Sequence, residues 1–310
     1  MLDQQSALPG LDDPALNVLL GAMTDTSGLV PIHTHFEPIA QQYKALLCDI
    51  WGVLHNGVAA YDGIVDTLTR YRASGGRVLL LSNAPRPGVG IPGHLEGLGV
   101  PRDAYDDVLT SGDATRESIA SGQFGTSFWH LGPERDRPTF EGLPLNQTDE
   151  DKADFVLCTG LFDDEVETAD DYEETLARLK ERDLDLVCAN PDIVVDRGEK
   201  RVYCGGAIAG AYTEIGGRSH YFGKPHAPIY DLARARLADL ADNQILAVGD
   251  GLLTDIKGAN DQGFDAFFVT GGIAYERCGP TVDDPQSELV TEVLAETDGR
   301  AIGAMARLIW

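Results

Sequence analysis

The chain has 310 residues, 43% of them hydrophobic, enough to bury a substantial core in one large domain or two of moderate size. Its 50 acidic and 24 basic residues leave a net charge of −26, a field that repels nucleic acid and anionic membranes and argues against polyanionic partners. No apolar run reaches the ~18 residues of a membrane span, and the start, MLDQQSALPGLDDP, is acidic where a signal peptide is basic, so no membrane association and a cytoplasmic location are expected. The five cysteines (48, 158, 188, 204 and 278) show no CxxC spacing and read as reduced thiols.

Residues 1–43 form an expected N-terminal extension, with a short helical pattern at Leu16, Leu19, Leu20 and Met23 and with Pro31 and Pro38 near its end. The HTH sequence at 33 to 35 has no further His/Asp set to complete a metal site, so His33 and His35 read as solvent-exposed loop residues. From Lys44 the run ALLCDI predicts a buried strand ending in an acid, followed by the turn-prone WGVLHNG. A helix follows with Ile64, Leu68 and Tyr71 at i, i+4, i+7, then Gly75 and Gly76, then a second strand in RVLLLSN at 77 to 83. Continuous apolar strands alternating with amphipathic helices imply a doubly wound parallel sheet, where ligands sit beyond the carboxyl ends of the strands.

The same rhythm returns with a helix at 227 to 241, strand QILAVGD at 244 to 250, helix at 253 to 262 and strand DAFFVTGG at 265 to 272. Between the two stretches lie strand candidates at 127 to 132, 153 to 160, 185 to 192 and 200 to 206 (KRVYCGG), with a helix at 170 to 182. This pattern reads as an inserted α/β domain over 122–217, dividing the core into 44–121 and 218–310.

Four segments carry the chemistry in fixed order: CDIWGVLHNG at 48 to 57, LSNAPRP at 81 to 87, GKP at 223 to 225 and VGDGLLTDIKGA at 248 to 259. With these segments the chain resembles the haloacid dehalogenase (HAD) superfamily of hydrolases. It is most similar to the type IIA capped branch, NagD-like and pyridoxal-phosphate-phosphatase-like, in a subgroup reading DxW in place of DxD. The resemblance covers about 43 to 275 and implies a Rossmann-like core with an inserted cap.

The resemblance also implies Mg²⁺-dependent hydrolysis of a small phosphorylated metabolite, with homo-oligomerisation left open. Asp49, at the end of a buried strand, is suited to attack phosphorus and form an aspartyl-phosphate. Asp250 ends another strand and Asp255 begins the next helix, so both are expected metal ligands alongside Asp49 and, by its backbone carbonyl as in the family, Trp51. Ser82 and Asn83 offer a hydroxyl and backbone N–H groups to the phosphoryl oxygens, and Arg86 a bidentate grip. Lys224 is one of only six lysines and resembles the family lysine that pairs with both nucleophile and phosphate.

The departure is Trp51, standing where phosphatases of the superfamily carry the aspartate that serves as general acid and base. Indole cannot exchange a proton at neutral pH, and loss of such help costs ~10²- to 10⁴-fold. His55, in the same turn region, is the nearest titratable substitute. A substrate with a good leaving group, or a phosphometabolite-binding protein with little turnover, also accommodates Trp51. A dehalogenase-type site, which needs no metal, is disfavoured by Asp250 and Asp255. ANPDIVVDRG at 189 to 198 resembles the cap loop that descends over the site, making Asn190 and Asp192 candidate substrate contacts. Val195 stands about where pyridoxal-phosphate phosphatases present a histidine, which weakens vitamin B6 phosphate as substrate. His226 reads as a supporting residue behind the site.

Overall fold

The computed structural model describes residues 28–198 and 200–310; the helical pattern at Leu16 to Met23 lies outside the described residues. Ala45–Cys48 form β1, buried throughout. The amphipathic stretch after it forms α1 (Ile64–Ala73), which turns Ile64, Leu68 and Tyr71 inward. β2 (Arg77–Ser82) follows, then β3 (Asp107–Thr110) and α2 (Ser111–Ala120). The start of α2 is a capping box in which Thr110 Oγ1 accepts from the Asp113 N–H and Asp113 accepts from the Thr110 N–H. Hydrophobic spacing does not flag that helix, because its sequence, SGDATRESIA, is mostly small and polar.

The chain next builds β4 (Ser127–Leu131), β5 (Asn146–Gln147), β6 (Phe155–Cys158), α3 (Glu173–Glu181) and β7 (Asp185–Cys188). An antiparallel hairpin of β8 (Val194–Arg197) and β9 (Lys200–Tyr203) precedes α4 (Gly205–Glu214) and β10 (Arg218–Tyr221). It closes with α5 (Ala227–Arg236), β11 (Ile245–Gly249), β12 (Asp265–Val269), α6 (Ser287–Ala295) and β13 (Gly303–Met305).

A six-stranded sheet, ordered β13-β12-β11-β1-β2-β3, is parallel at every pairing, with β1 held between β11 and β2. A second parallel sheet is ordered β10-β7-β6-β4-β5. The expected doubly wound α/β core with an α/β insertion is therefore what the chain forms. One apolar cluster spans both sheets, joining Leu47, Leu79 and Leu109 to Phe128, Leu157 and Val187.

Several local expectations change. The second sheet runs to Tyr221, past the exit expected at 217. The strand expected over 200 to 206 stops at Tyr203, and Gly205 and Gly206 open α4 instead. The helix expected to 241 ends at Arg236, and that over 253 to 262 is a π-helical turn, Leu252–Ile256, running into an α-helix, Lys257–Gln262. His35 is exposed as expected, but His33 is half-buried against Phe267 because its backbone N–H bonds to the Ala304 carbonyl and draws it onto β13.

Candidate active site

Strand register sets the floor of the site. β1 and β11 run side by side, with Cys48 opposite Val248, and the Asp49 N–H continues the ladder to the Val248 carbonyl at 2.8 Å. Asp49 and Asp250 therefore leave the same sheet edge together, at the carboxyl ends where α/β sheets bind ligands. Asp255 reaches them from the π-helical turn, in which the N–H groups of Asp255 and Ile256 both bond to the Gly251 carbonyl. A Cβ on Gly249 would lie 2.2 Å from the Asp255 carboxyl carbon, so glycine is what admits this side chain under the strand end.

Lys224 completes the floor. Its Nζ donates to Asp49 Oδ1 at 2.5 Å and to Asp255 Oδ1 at 2.7 Å, with all three side chains buried. The lysine backbone is clamped by Asn83, whose Oδ1 accepts from the Lys224 N–H at 2.7 Å and whose Nδ2 donates to the Lys224 carbonyl at 3.0 Å. The same Nδ2 donates to Asp192 Oδ1 at 2.8 Å. The Asn83 side chain is thus spent on bracing Lys224 and Asp192, while the residue itself lines the cavity beside Ser82.

The roof comes from the loop before the β8–β9 hairpin and from the hairpin itself. Asn190 Oδ1 accepts from the Asp192 N–H at 3.1 Å, an Asx-type turn, and the Gly206 N–H donates to the Asp192 carbonyl at 3.0 Å. A Cβ on Gly206 would stand 2.2 Å from the Pro191 carbonyl oxygen, so the first turn of α4 can press on this loop only without a side chain there. Trp51 Nε1 donates to the Asp196 carbonyl at 2.6 Å, and the Gly198 N–H donates to the Asn56 carbonyl at 3.0 Å, tying floor to roof.

These residues enclose a cavity of about 260 Å³ lined by Asp49, Trp51, Ser82, Asn83, Asp192, Lys224, Asp250 and Asp255 among others. Ser82 Oγ accepts from the Ala84 N–H at 3.2 Å. Three other expected residues, His55, Arg86 and Asn190, lie outside the wall of this cavity. His55 is buried outside the cavity wall, its Nδ1 accepts from the Gly57 N–H, and burial with neighbouring His94 pushes its pKa down to about 4. It holds the turn and is no proton donor to the cavity. Arg86 lies in an adjoining cavity, 44% exposed, with its Nε 3.7 Å from Asp136, and Asn190 lines that neighbouring space too.

The sequence reading missed other parts of the wall. Gly272 allows the Asp250 carboxylate to lie close, since a Cβ there would be 1.9 Å from Oδ2, and the Ile273 N–H donates to that oxygen at 2.7 Å. The glycine pair closing VTGG was the available signal. Tyr61 and Arg307 also line the cavity, and no motif pointed to either.

Electrostatics at the floor are unbalanced. Fully ionised, Asp49, Asp250 and Asp255 against Lys224 leave two uncompensated negative charges in a buried place, which is costly. Burial, then Asp255, pushes Asp49 well up, and the same causes push Asp250 up to about 7. Burial alone would lower Lys224, but Asp255, Asp49 and Asp192 outweigh it and hold the ammonium charged. Carboxylate oxygens of Asp49, Asp250 and Asp255 lie within 4.8 Å of one another, so a divalent cation fits both the donor set and the missing charge.

The profile described as haloacid dehalogenase-like hydrolase matches residues 46–146, and the one described as HAD-hydrolase-like matches 221–296. The D-glycerol 3-phosphate phosphatase of Mycobacterium tuberculosis is 30% identical over 248 residues, 76% of this chain, which spans 65% of that protein's length. The crystal structure of a glycerol phosphate phosphatase from the same organism with magnesium superposes with a TM-score of 0.61 at 27% identity, over 78% of this chain and 73% of that one. A hydrolase of the haloacid dehalogenase-like family from Brucella suis superposes with a TM-score of 0.80 at 39% identity, over 90% of this chain and all of its own. Together with the floor of acids around Lys224, that likeness over the whole of a relative shows that the chain belongs to the haloacid dehalogenase-like hydrolases.

Proposed function

We propose that this hydrolase is a Mg²⁺-dependent phosphatase of small phosphate monoesters, in the type IIA branch of its family, with Asp49 as nucleophile. The observation that carries the reading is the buried floor in which Lys224 Nζ bridges Asp49 and Asp255 beside Asp250. Mg²⁺, held by Asp49, Asp250 and Asp255 with the Trp51 carbonyl, would keep the carboxylates ionised and screen them from the anionic ester.

Asp49 attacks phosphorus, and the bond from phosphorus to the ester oxygen breaks as the aspartyl-phosphate forms. Lys224 and the Ser82 hydroxyl offset the charge on the phosphoryl oxygens. With His55 facing away, Asp192 is the group to serve the leaving oxygen. Burial raises its pKa, with Lys224 opposing, and its Oδ1 is taken by Asn83. Protonated Asp192 gives its proton to the departing alcohol. As a carboxylate it then takes one from the water that attacks phosphorus, releasing inorganic phosphate and restoring Asp49. A relative named for a three-carbon ester and a cavity of about 260 Å³ both support a small substrate.

Hydrolysis of an aryl phosphate by the wild type and Asp49→Asn, with and without Mg²⁺, tests the reading. We expect Mg²⁺-dependent turnover that falls at least ~10³-fold in the variant, with an acyl phosphate trapped only on the wild type. Equal activity in Asp49→Asn rules out the nucleophile. Absent turnover, with phosphate analogues still raising the melting temperature, favours the binding-protein alternative.

A further inference from the structure

Asn83 is buried just after β2, where the core meets the roof of the cavity. The oxygen and nitrogen of an amide are alike in shape, but here the backbone of Lys224 decides between them. The Lys224 N–H needs an acceptor and takes Oδ1 at 2.7 Å, and the Lys224 carbonyl needs a donor and takes Nδ2 at 3.0 Å. The flipped amide would set donor against donor and acceptor against acceptor. Glycine before the lysine leaves room for this clamp, since a Cβ on Gly223 would stand 2.4 Å from Asn83 Oδ1. One hydrogen of Nδ2 therefore goes to Lys224, and the other is left for Asp192 Oδ1 at 2.8 Å.

The backbone of Asp192 is held as firmly, its N–H by Asn190 Oδ1 at 3.1 Å and its carbonyl by the Gly206 N–H at 3.0 Å. Among the described residues, the bond from Asn83 is the only hydrogen bond that reaches the Asp192 carboxyl. Oδ2 has no partner, yet it is not sealed off: buried side-chain polar atoms without partners occur, among the described residues, only on His33, Tyr105, Ser111, Thr115 and Arg307. Asp192 is half-buried and lines both the cavity over the acids and the adjoining one. Oδ2 is therefore the carboxyl oxygen that keeps open surface, and Oδ1 the one turned to the core.

We propose that Asn83 is a positioning residue that confines the proton of Asp192 to Oδ2, the oxygen from which it passes to the leaving group. The assignment rests on the phosphatase reading above and deepens it. A proton on Oδ1 would face the Asn83 N–H, which cannot accept it. A proton on Oδ2 moves to the ester oxygen as the phosphorus–oxygen bond breaks, while Oδ1 keeps its bond from Asn83. That bond steadies the carboxylate left behind, and Oδ2 then takes a proton from the water that attacks the aspartyl-phosphate. Because the same Nδ2 holds the Lys224 carbonyl, one side chain aligns the proton donor with the lysine that offsets the phosphoryl charge.

The test compares kcat/KM with Mg²⁺ for glycerol 3-phosphate, whose alkoxide needs a proton, and para-nitrophenyl phosphate, whose phenolate leaves without one. Asn83→Asp keeps the shape and an acceptor for the Lys224 N–H but offers Asp192 no donor. We expect it to lower the alkyl-to-aryl ratio by ~10- to 100-fold, and to leave that ratio unchanged when it is introduced into Asp192→Asn. Displacement of Lys224 or damage to the fold lowers both rates together and does not move the ratio. A ratio unmoved by Asn83→Asp alone, or one that falls as far in the Asp192→Asn background, overturns the assignment. A second measurement needs no turnover: at acidic pH the infrared difference against Asp192→Asn isolates the C=O stretch of protonated Asp192. That band should lie at higher wavenumber in Asn83→Ala, where Oδ1 has lost its donor, and an unmoved band overturns the placement. If the wild type hydrolyses neither ester, the phosphatase reading fails. In that case, or if only the aryl ester turns over, the infrared band alone decides where the proton sits.

Discussion

The floor of the cavity leaves the strand ends of a six-stranded parallel sheet, whereas its roof is a loop at 190 to 192 and a hairpin with four residues in each strand. On the floor, Asp49 and Asp250 are placed by the backbone ladder between β1 and β11, and the cost of moving them is the cost of breaking the sheet. In the roof, Asp192 is placed by side chains and by close approach: the Asn83 amide, the Asn190 turn and the bare face of Gly206. A site assembled in these two ways has a floor that tolerates little movement and a roof that can be loosened one contact at a time. Trp51 belongs to both, since it follows the nucleophile in sequence while its indole holds the hairpin.

The sharpest way to break this comparison is to remove Asp192, the proton donor we propose in the roof. Asp192→Asn should lower kcat for an alkyl phosphate by ~10²- to 10⁴-fold while costing an aryl phosphate, whose leaving group departs unaided, much less at the phosphorylation step. Equal losses for both substrates, followed by burst kinetics, would remove Asp192 from proton transfer. Titration of the floor comes next. In metal-free protein the folded-state pKa of Asp250, raised to about 7 by burial and by Asp255, exceeds the ordinary carboxylate value. Its contribution to stability is therefore full below the unfolded pKa of about 3.9 and is lost as pH rises through about 7. The metal-free melting temperature should fall over that window, and saturating Mg²⁺ should flatten the dependence while binding more weakly at low pH.

Smaller effects sharpen the roof. Gly206→Ala forces the Pro191 and Asp192 carbonyls away from α4, for ~1–3 kcal/mol in denaturant unfolding, and should raise KM as Asp192 shifts. Trp51→Phe removes one hydrogen bond to the Asp196 carbonyl, ~0.5–1.5 kcal/mol, and should speed hydrogen exchange in β8 and β9 more than in β1. Uniform exchange in the two regions would contradict a roof held separately from the floor.

Legibility followed the same division. The strands carrying Asp49, Ser82 and Asp250 are continuous apolar runs ending in polar residues, a pattern readable without knowing their partners. Gly205 and Gly206 read as the end of the strand over 200 to 206, and only their packing on the 190 to 192 loop explains why they open α4 instead. His55 and Arg86 were plausible by proximity in sequence, yet the turn after Trp51 directs one inward and the chain after Asn83 carries the other into the adjoining cavity. Arg307 had no local signal at all, because β13, which delivers it, is three residues long and pairs with β12.

By itself, then, the sequence determined the alternation of strand and helix, the insertion between the core halves, and the acids that end β1 and β11, since apolar periodicity and strand-end polarity are local properties of the chain. The tertiary structure decided that the Asn83 side chain braces Lys224, that Asp192 lines the cavity while His55 does not, and that Arg307 joins the same wall. Those outcomes depend on which groups meet after hundreds of residues have folded back, and on whether a buried charge or hydrogen-bonding atom finds its partner there.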